Sequence, residues 1–295
     1  MQVLQGSLVA LITPLFEDGS IDYDSLKQLI DWHIEQGTNG IVSVGTTGES
    51  ATLNLKEHID VIDFTIKHVN KRIPVIAGTG ANSTDEAIEL TKESQIKGAD
   101  YALLVTPYYN KPNQNGLIQH YQKIADCVDL KQILYNVPSR TACDIKPKTV
   151  KILSEHPNII GIKEALDDRD RVLELINISK ECDNFLVFSG DDPTFFESIA
   201  DGAHGVISVA ANVIPNAISS ICEHVRNSEI DEAKEINEEN HNLYKLLFVE
   251  SNPIPVKWML YKMGLIKNSI RLPLIELDET FHTKVLSELN KLKLL

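Results

Sequence analysis

The stretch Asn158-Ile159-Ile160-Gly161-Ile162-Lys163-Glu164-Ala165 decides how the chain is read. It has the length and β-branched content of a buried strand, yet a lysine stands inside it. Side chains alternate between the faces of a strand. Ile159, Gly161, Lys163 and Ala165 are therefore expected on one face, and Ile160, Ile162 and Glu164 on the other. On that reading Gly161 leaves room beneath the lysine, and Ala165 crowds it little from above. An ammonium buried there without a partner is costly, because desolvation disfavours the charged form. Bringing a lysine from its reference value to about 7.5 takes roughly 4 kcal/mol of differential interaction. The product is a neutral amine at physiological pH, the form that adds to a ketone to give a Schiff base. The competing reading is a lysine paired with a carboxylate, or one turned out to solvent at the strand's end.

The flanking sequence bears on that choice. Short apolar runs recur along the chain at Ser7–Thr13, Gly40–Gly45, Ile73–Gly78, Tyr101–Pro107, Gln132–Val137, Ile159–Ala165, Phe185–Gly190 and Gly205–Ala210. Most are followed by an amphipathic helical segment. Asp22-Tyr23-Asp24-Ser25 and Asn82-Ser83-Thr84-Asp85-Glu86 open two of these with capping residues ahead of apolar periodicity. Strand and helix alternating eight times predict an α/β fold, a closed parallel (β/α)8 TIM barrel. A doubly wound open sheet is the runner-up, but its first strand usually leads into a Gly-rich phosphate turn. Here that strand leads into Thr13-Pro14-Leu15-Phe16. Beyond Arg226 only helical patterns remain, at Ile230–Glu250, Pro255–Gly264 and Asp278–Leu292. The expected organisation is a barrel over residues 1–225 and a helical C-terminal extension over 226–295.

With 295 residues, 43% hydrophobic and 24% charged, the composition is that of an ordinary soluble globular protein. A formal net charge of −14 argues against nucleic acid or an anionic membrane as partner. Cys127, Cys143, Cys182 and Cys222 form no Cys-x-x-Cys pair, which fits reduced thiols better than disulfides or a zinc site. The N-terminal Met-Gln-Val-Leu-Gln-Gly-Ser lacks the basic start of a secretion signal, and no apolar run reaches membrane-spanning length. A cytoplasmic location is expected.

In this barrel the chemistry sits at the carboxyl ends of the strands. Those ends carry Gly45-Thr46-Thr47-Gly48-Glu49-Ser50, Thr106-Pro107-Tyr108-Tyr109-Asn110, Tyr135-Asn136-Val137-Pro138-Ser139-Arg140-Thr141, Lys163, Ser189-Gly190-Asp191-Asp192 and Ile207-Ser208. Singly each has a plain structural reading: a tight turn, a core tyrosine, a surface arginine. Together they gather an amine, phenol and hydroxyl proton carriers and a guanidinium suited to a carboxylate. TIM-barrel phosphate sites usually form after strands seven and eight, where Asp191 and Asp192 would repel a phosphate. The nine histidines show no His-x-His or His-Glu-x-x-His spacing, which disfavours a metal and a class II aldolase mechanism. No cofactor is expected.

These motifs, with Pro74-Val75-Ile76-Ala77-Gly78-Thr79-Gly80 and Gly161-Ile162-Lys163-Glu164-Ala165, resemble the dihydrodipicolinate synthase (4-hydroxy-tetrahydrodipicolinate synthase) family over essentially the whole chain. That family lies within the pyruvate-dependent class I aldolase-like superfamily. Sialic-acid lyases and keto-deoxy-sugar-acid aldolases, the alternative, share the lysine and tyrosine but usually lack the Pro-Ser-Arg-Thr arginine. Arg140 is thus the discriminator, with Thr46-Thr47 in support. The resemblance implies that Lys163 forms a Schiff base with pyruvate, whose enamine attacks L-aspartate 4-semialdehyde in lysine and diaminopimelate biosynthesis. Tyr135, Thr46 and Tyr109 would form a proton relay, Tyr109 reaching into a neighbouring subunit. Thr47 would hold the pyruvate carboxylate and Arg140 that of the semialdehyde, while Gly190 and Ile207 would line the pocket. A shared site implies at least a dimer, commonly a homotetramer built as a dimer of dimers. In lysine-inhibited members the effector pocket includes counterparts of Ser50, Ala51, His58, Asn82, Glu86 and Tyr108. A histidine common in that pocket is Leu55 here, which leaves the response to L-lysine open.

Overall fold

Parallel strands buried on both faces read as continuous apolar runs, and eight such runs close into one barrel. The strands are β1 Gly6–Ala10, β2 Gly40–Ser43, β3 Val75–Gly78, β4 Tyr101–Val105, β5 Lys131–Asn136, β6 Ile159–Glu164, β7 Leu186–Ser189 and β8 Gly205–Ser208. They pair in chain order, and β8 pairs with β1 to complete the ring. The computed structural model describes residues 4–182 and 184–295. Met1, Gln2 and Val3, read above as part of an N-terminus without a secretion signal, lie outside the described residues, as does Asp183.

Half of the described α-helices start where the sequence supplies a side-chain cap. Asp22 accepts from the Ser25 amide ahead of Tyr23–Glu35, and Ser83 from the Glu86 amide ahead of Thr84–Lys97. Asn54 and Glu57 form a reciprocal capping box ahead of Leu55–Val69. Two apolar layers result. Leu8, Val42, Ile76, Ile133, Phe188 and Ile207 fill the barrel interior. Val9, Ile41, Leu104, Leu134, Ile162 and Val206 face the surrounding helices. The helices Ile230–Leu246, Ile254–Lys262 and Glu279–Lys291 follow the eighth β/α unit, and Leu243, Trp258 and Leu289 join that outer layer. None of the described helices is long and apolar enough to cross a membrane.

Two expectations about β6 are corrected. Lys163 and Ala165 do share the interior face, while Ile162 and Glu164 point outward. Ile159, however, packs in the outer layer and Ile160 against the inner one. The register against β5 shifts between Gln132 and Ile133, so the pairs run Gln132 with Ile159 and then Ile133 with Gly161. A bulge of one residue flips the parity of everything before it. Gly161 also has a different purpose from the one expected. A Cβ there would meet the Leu186 carbonyl oxygen at 2.6 Å, so this glycine permits close approach of β7 and leaves no room for the lysine. That room comes from Gly190, whose Cβ would lie 2.7 Å from Lys163 Cε and 2.9 Å from its Cγ.

Candidate active site

Lys163 stands at the carboxyl end of β6, in register with Tyr135 on β5 and Phe188 on β7. It is 5% exposed and enters no salt bridge among the described residues. Its Nζ lies 4.3 Å from the centroid of the Tyr135 ring. Burial brings the amine down from its ordinary 10.5 to about 8, with the Asp192 carboxylate opposing and the Arg140 guanidinium assisting. That carboxylate is itself buried, and it accepts from Ser208 Oγ at 2.5 Å, the Val209 amide at 3.0 Å and the Ala210 amide at 2.9 Å. Burial raises it to about 6 in spite of those donors. The strand-seven acid therefore ties down the turn after β8 as well as facing the lysine.

Lys163 opens into a cavity of about 190 Å³ at the barrel mouth, lined also by Thr46, Thr47, Tyr135, Arg140 and Gly190. Five of the residues expected to act together with the lysine are thus brought to it by three other strand ends, those of β2, β5 and β7. Burial pushes the Tyr135 phenol up, while the Arg140 charge and the Thr46 hydroxyl pull it back. Such a phenol stays protonated until its proton is needed, which suits a carrier. Ile207 is fully buried in the interior cluster with Leu8 and Phe188, and is not among the residues lining this cavity. Tyr109 is not brought to the lysine of its own chain either. It is 90% exposed, with φ at 75°, on the loop after β4.

A second cavity of about 300 Å³ lies on the other side of Thr46, Val137 and Arg140, which line both. Ser50, Ala51, His58, Glu86 and Tyr108 line it, and so does Leu55. Asn82 braces its edge, donating from Nδ2 to the Tyr108 carbonyl at 3.2 Å. His58 meets the Gly78 carbonyl at 2.7 Å through Nε2, and burial lowers its pKa. Among the described residues no group of three or more His, Cys, Asp or Glu side chains is placed to hold a metal ion.

Two lining residues, Phe248 and Asn252, come from the C-terminal extension and were not expected from sequence. Asn252 donates from Nδ2 to Thr47 Oγ1 at 3.0 Å, and its backbone carbonyl accepts from Arg140 Nη2 at 3.2 Å. The segment is held by Lys257, which pairs with Glu49 and donates to the Thr13 carbonyl at 3.1 Å. Arg271 adds a two-pronged grip on Glu57 at 2.8 and 2.6 Å. The only sequence signal for Asn252 was the break in helical pattern at Ser251-Asn252-Pro253.

A family model described as Dihydrodipicolinate synthetase family matches residues 3–292. The 4-hydroxy-tetrahydrodipicolinate synthase of Stutzerimonas stutzeri (strain A1501) is 54% identical over 279 residues, covering 95% of this chain and 95% of that protein. Among solved structures, the chloride-inhibited dihydrodipicolinate synthase from Acinetobacter baumannii complexed with pyruvate is similar with a TM-score of 0.97. It is 52% identical and covers 99% of this chain and 100% of its own. Dihydrodipicolinate synthase from Cyanidioschyzon merolae with lysine bound has a TM-score of 0.94 at 35% identity, covering 99% of each chain.

Proposed function

The chain belongs to the dihydrodipicolinate synthetase family, and from that premise we propose that it condenses pyruvate with L-aspartate 4-semialdehyde as a 4-hydroxy-tetrahydrodipicolinate synthase. The observation that carries this reading is the solitary amine of Lys163, buried at a barrel mouth among hydroxyl and guanidinium donors.

In the proposed sequence the neutral Nζ adds to the keto carbon of pyruvate, and loss of water gives the imine. The methyl group then loses a proton, and the enamine carbon attacks the aldehyde of the second substrate. The amino group of that substrate next adds to the imine carbon, closing the ring and expelling the Lys163 amine. Tyr135 and Thr46 pass protons to and from the site, with Tyr109 of a neighbouring subunit as the third member. Thr47 holds the pyruvate carboxylate. Arg140, at the cavity wall, holds that of the semialdehyde. Gly190 supplies the space the lysine turns in, and Ile207 is assigned the floor below it.

The active unit is read as a homotetramer, at least a dimer, in the cytoplasm, serving lysine and diaminopimelate synthesis. Residues 1–225 are the barrel and 226–295 the extension that braces its mouth. Ser50, Ala51, His58, Asn82, Glu86 and Tyr108 are assigned to an effector pocket of the kind that takes L-lysine in inhibited members, with Leu55 altering its rim. The lysine-bound relative supports that assignment.

A coupled assay tests the function. Turnover of pyruvate with L-aspartate 4-semialdehyde, and none of N-acetylneuraminate or a 2-keto-3-deoxy sugar acid, is expected. The opposite pattern would move the chain to a sugar-acid aldolase.

A further inference from the structure

We infer that Asn252 is a positioning residue that sets the polarity of Thr47, so that its hydroxyl points a proton at the keto acid's carboxylate. The inference rests on the function proposed above and adds to it a residue from outside the barrel. Two contacts fix the geometry. Asn252 Nδ2 donates to Thr47 Oγ1 at 3.0 Å, and five residues on, the Lys257 ammonium pairs with Glu49, two residues past Thr47. One segment of the extension thus pins the Thr46-Thr47-Gly48-Glu49 turn at two points. Asn252, Thr47, Lys257 and Glu49 are all buried, so neither contact is a surface accident.

A threonine hydroxyl has one proton to give and two lone pairs to receive with. When a fixed amide already donates to its oxygen, the proton turns elsewhere, and at Thr47 the cavity is the neighbouring space. The amide meets Thr47 through Nδ2, its donor end, and Asn252 Oδ1 has no partner among the described residues. The reverse amide orientation would let Thr47 spend its proton on Oδ1 and present only lone pairs to an anion. A carboxylate accepts and never donates. The two orientations therefore predict opposite behaviour toward it. The Asn252 carbonyl meanwhile holds Arg140 Nη2 at 3.2 Å, so the same residue steadies the group assigned to the second carboxylate.

The test is a double-mutant cycle on the full-length enzyme with Asn252→Ala, Thr47→Val and the pair, measuring kcat and the KM for pyruvate. A contact to a carboxylate present in both ground and transition states changes KM more than kcat. Asn252→Ala is expected to raise the pyruvate KM about 10-fold, the scale of one hydrogen bond to a charged group. In the Thr47→Val background the same change is expected to add less than about 2-fold. Asn252→Ser, which shortens the donor but keeps a small polar side chain, serves if the alanine variant folds poorly. It is expected to show the same coupling. Effects that multiply in the double variant, or an unchanged pyruvate KM, would overturn the inference. Borohydride trapping of pyruvate on the wild type separates the two levels. A missing adduct would refute the proposed function itself, whereas a normal adduct with an uncoupled cycle refutes only the role of Asn252.

Discussion

The molecule buries two lysines near the mouth of the barrel, and they are opposites. Lys257, 3% exposed on the helix Ile254–Lys262, pairs with the buried Glu49 carboxylate and donates to the Thr13 carbonyl. Lys163, 5% exposed on β6, has the face of Tyr135 at 4.3 Å and no salt bridge among the described residues. Burial depresses both amines, but at Lys257 the contact with Glu49 opposes it directly. A buried pair costs much to break and holds two segments together. A buried amine with no carboxylate in contact contributes nothing comparable to stability, and what it offers is reactivity. The difference separates a residue that holds the site from one that does its chemistry.

Swapping each lysine for methionine should break the comparison most sharply. Lys163→Met is expected to abolish turnover while leaving the unfolding midpoint unchanged or raised, since a desolvated amine is replaced by an apolar chain. Lys257→Met leaves Glu49 buried without its cation and is expected to lower stability by about 3–5 kcal/mol in urea titration. If the stability losses fell the other way round, the division of labour would be wrong.

Gly190→Ala comes next. Its Cβ would sit 2.7 Å from Lys163 Cε and 3.1 Å from the Ala165 Cβ, so the amine must shift. A displacement on the order of 1 Å at a reacting group costs about 10²-fold. A kcat/KM loss of that size with an unchanged fold by circular dichroism is expected, and wild-type kinetics would contradict it. Gly161→Ala, by contrast, strikes the β7 backbone and should show itself as instability.

The smallest effects concern pH. Only the neutral amine adds to a ketone, and Lys163 titrates at about 8. The rate of imine trapping should rise about tenfold per unit below that value and level off above it. The Asp192 carboxylate pulls the Lys163 value upward, so Asp192→Asn should move that midpoint to lower pH. A midpoint that stays put, followed by stopped-flow trapping across the pH range, would remove Asp192 from the electrostatics of the site.

Much of this was legible in the sequence. Eight apolar runs were found because strands covered on both faces carry unbroken Val, Ile and Leu, and seven of the eight readings ran past the ladder at the carboxyl end. The overrun at Leu11–Thr13 shows why: those residues remain buried while the chain has already left the ladder for the site. Lys163, Tyr135 and the Thr46-Thr47 turn were visible because residues of that chemistry stand where strands end. What could not be seen were neighbours across strands. Gly161 was credited with the space that Gly190 provides, since one adjoins the lysine in sequence and the other in space. The parity of Ile159 and Ile160 was lost to a bulge that only the β5 register reveals. Asn252 and Lys257 lie some two hundred residues from Thr47 and Glu49, and no local pattern marks such pairs.

Mass mapping after borohydride reduction in the presence of pyruvate tests the central claim most directly. The peptide containing Lys163 should carry the reduced keto acid, and the one containing Lys257 should be unmodified. An unmodified Lys163, or label on Lys257 in its place, would contradict the account.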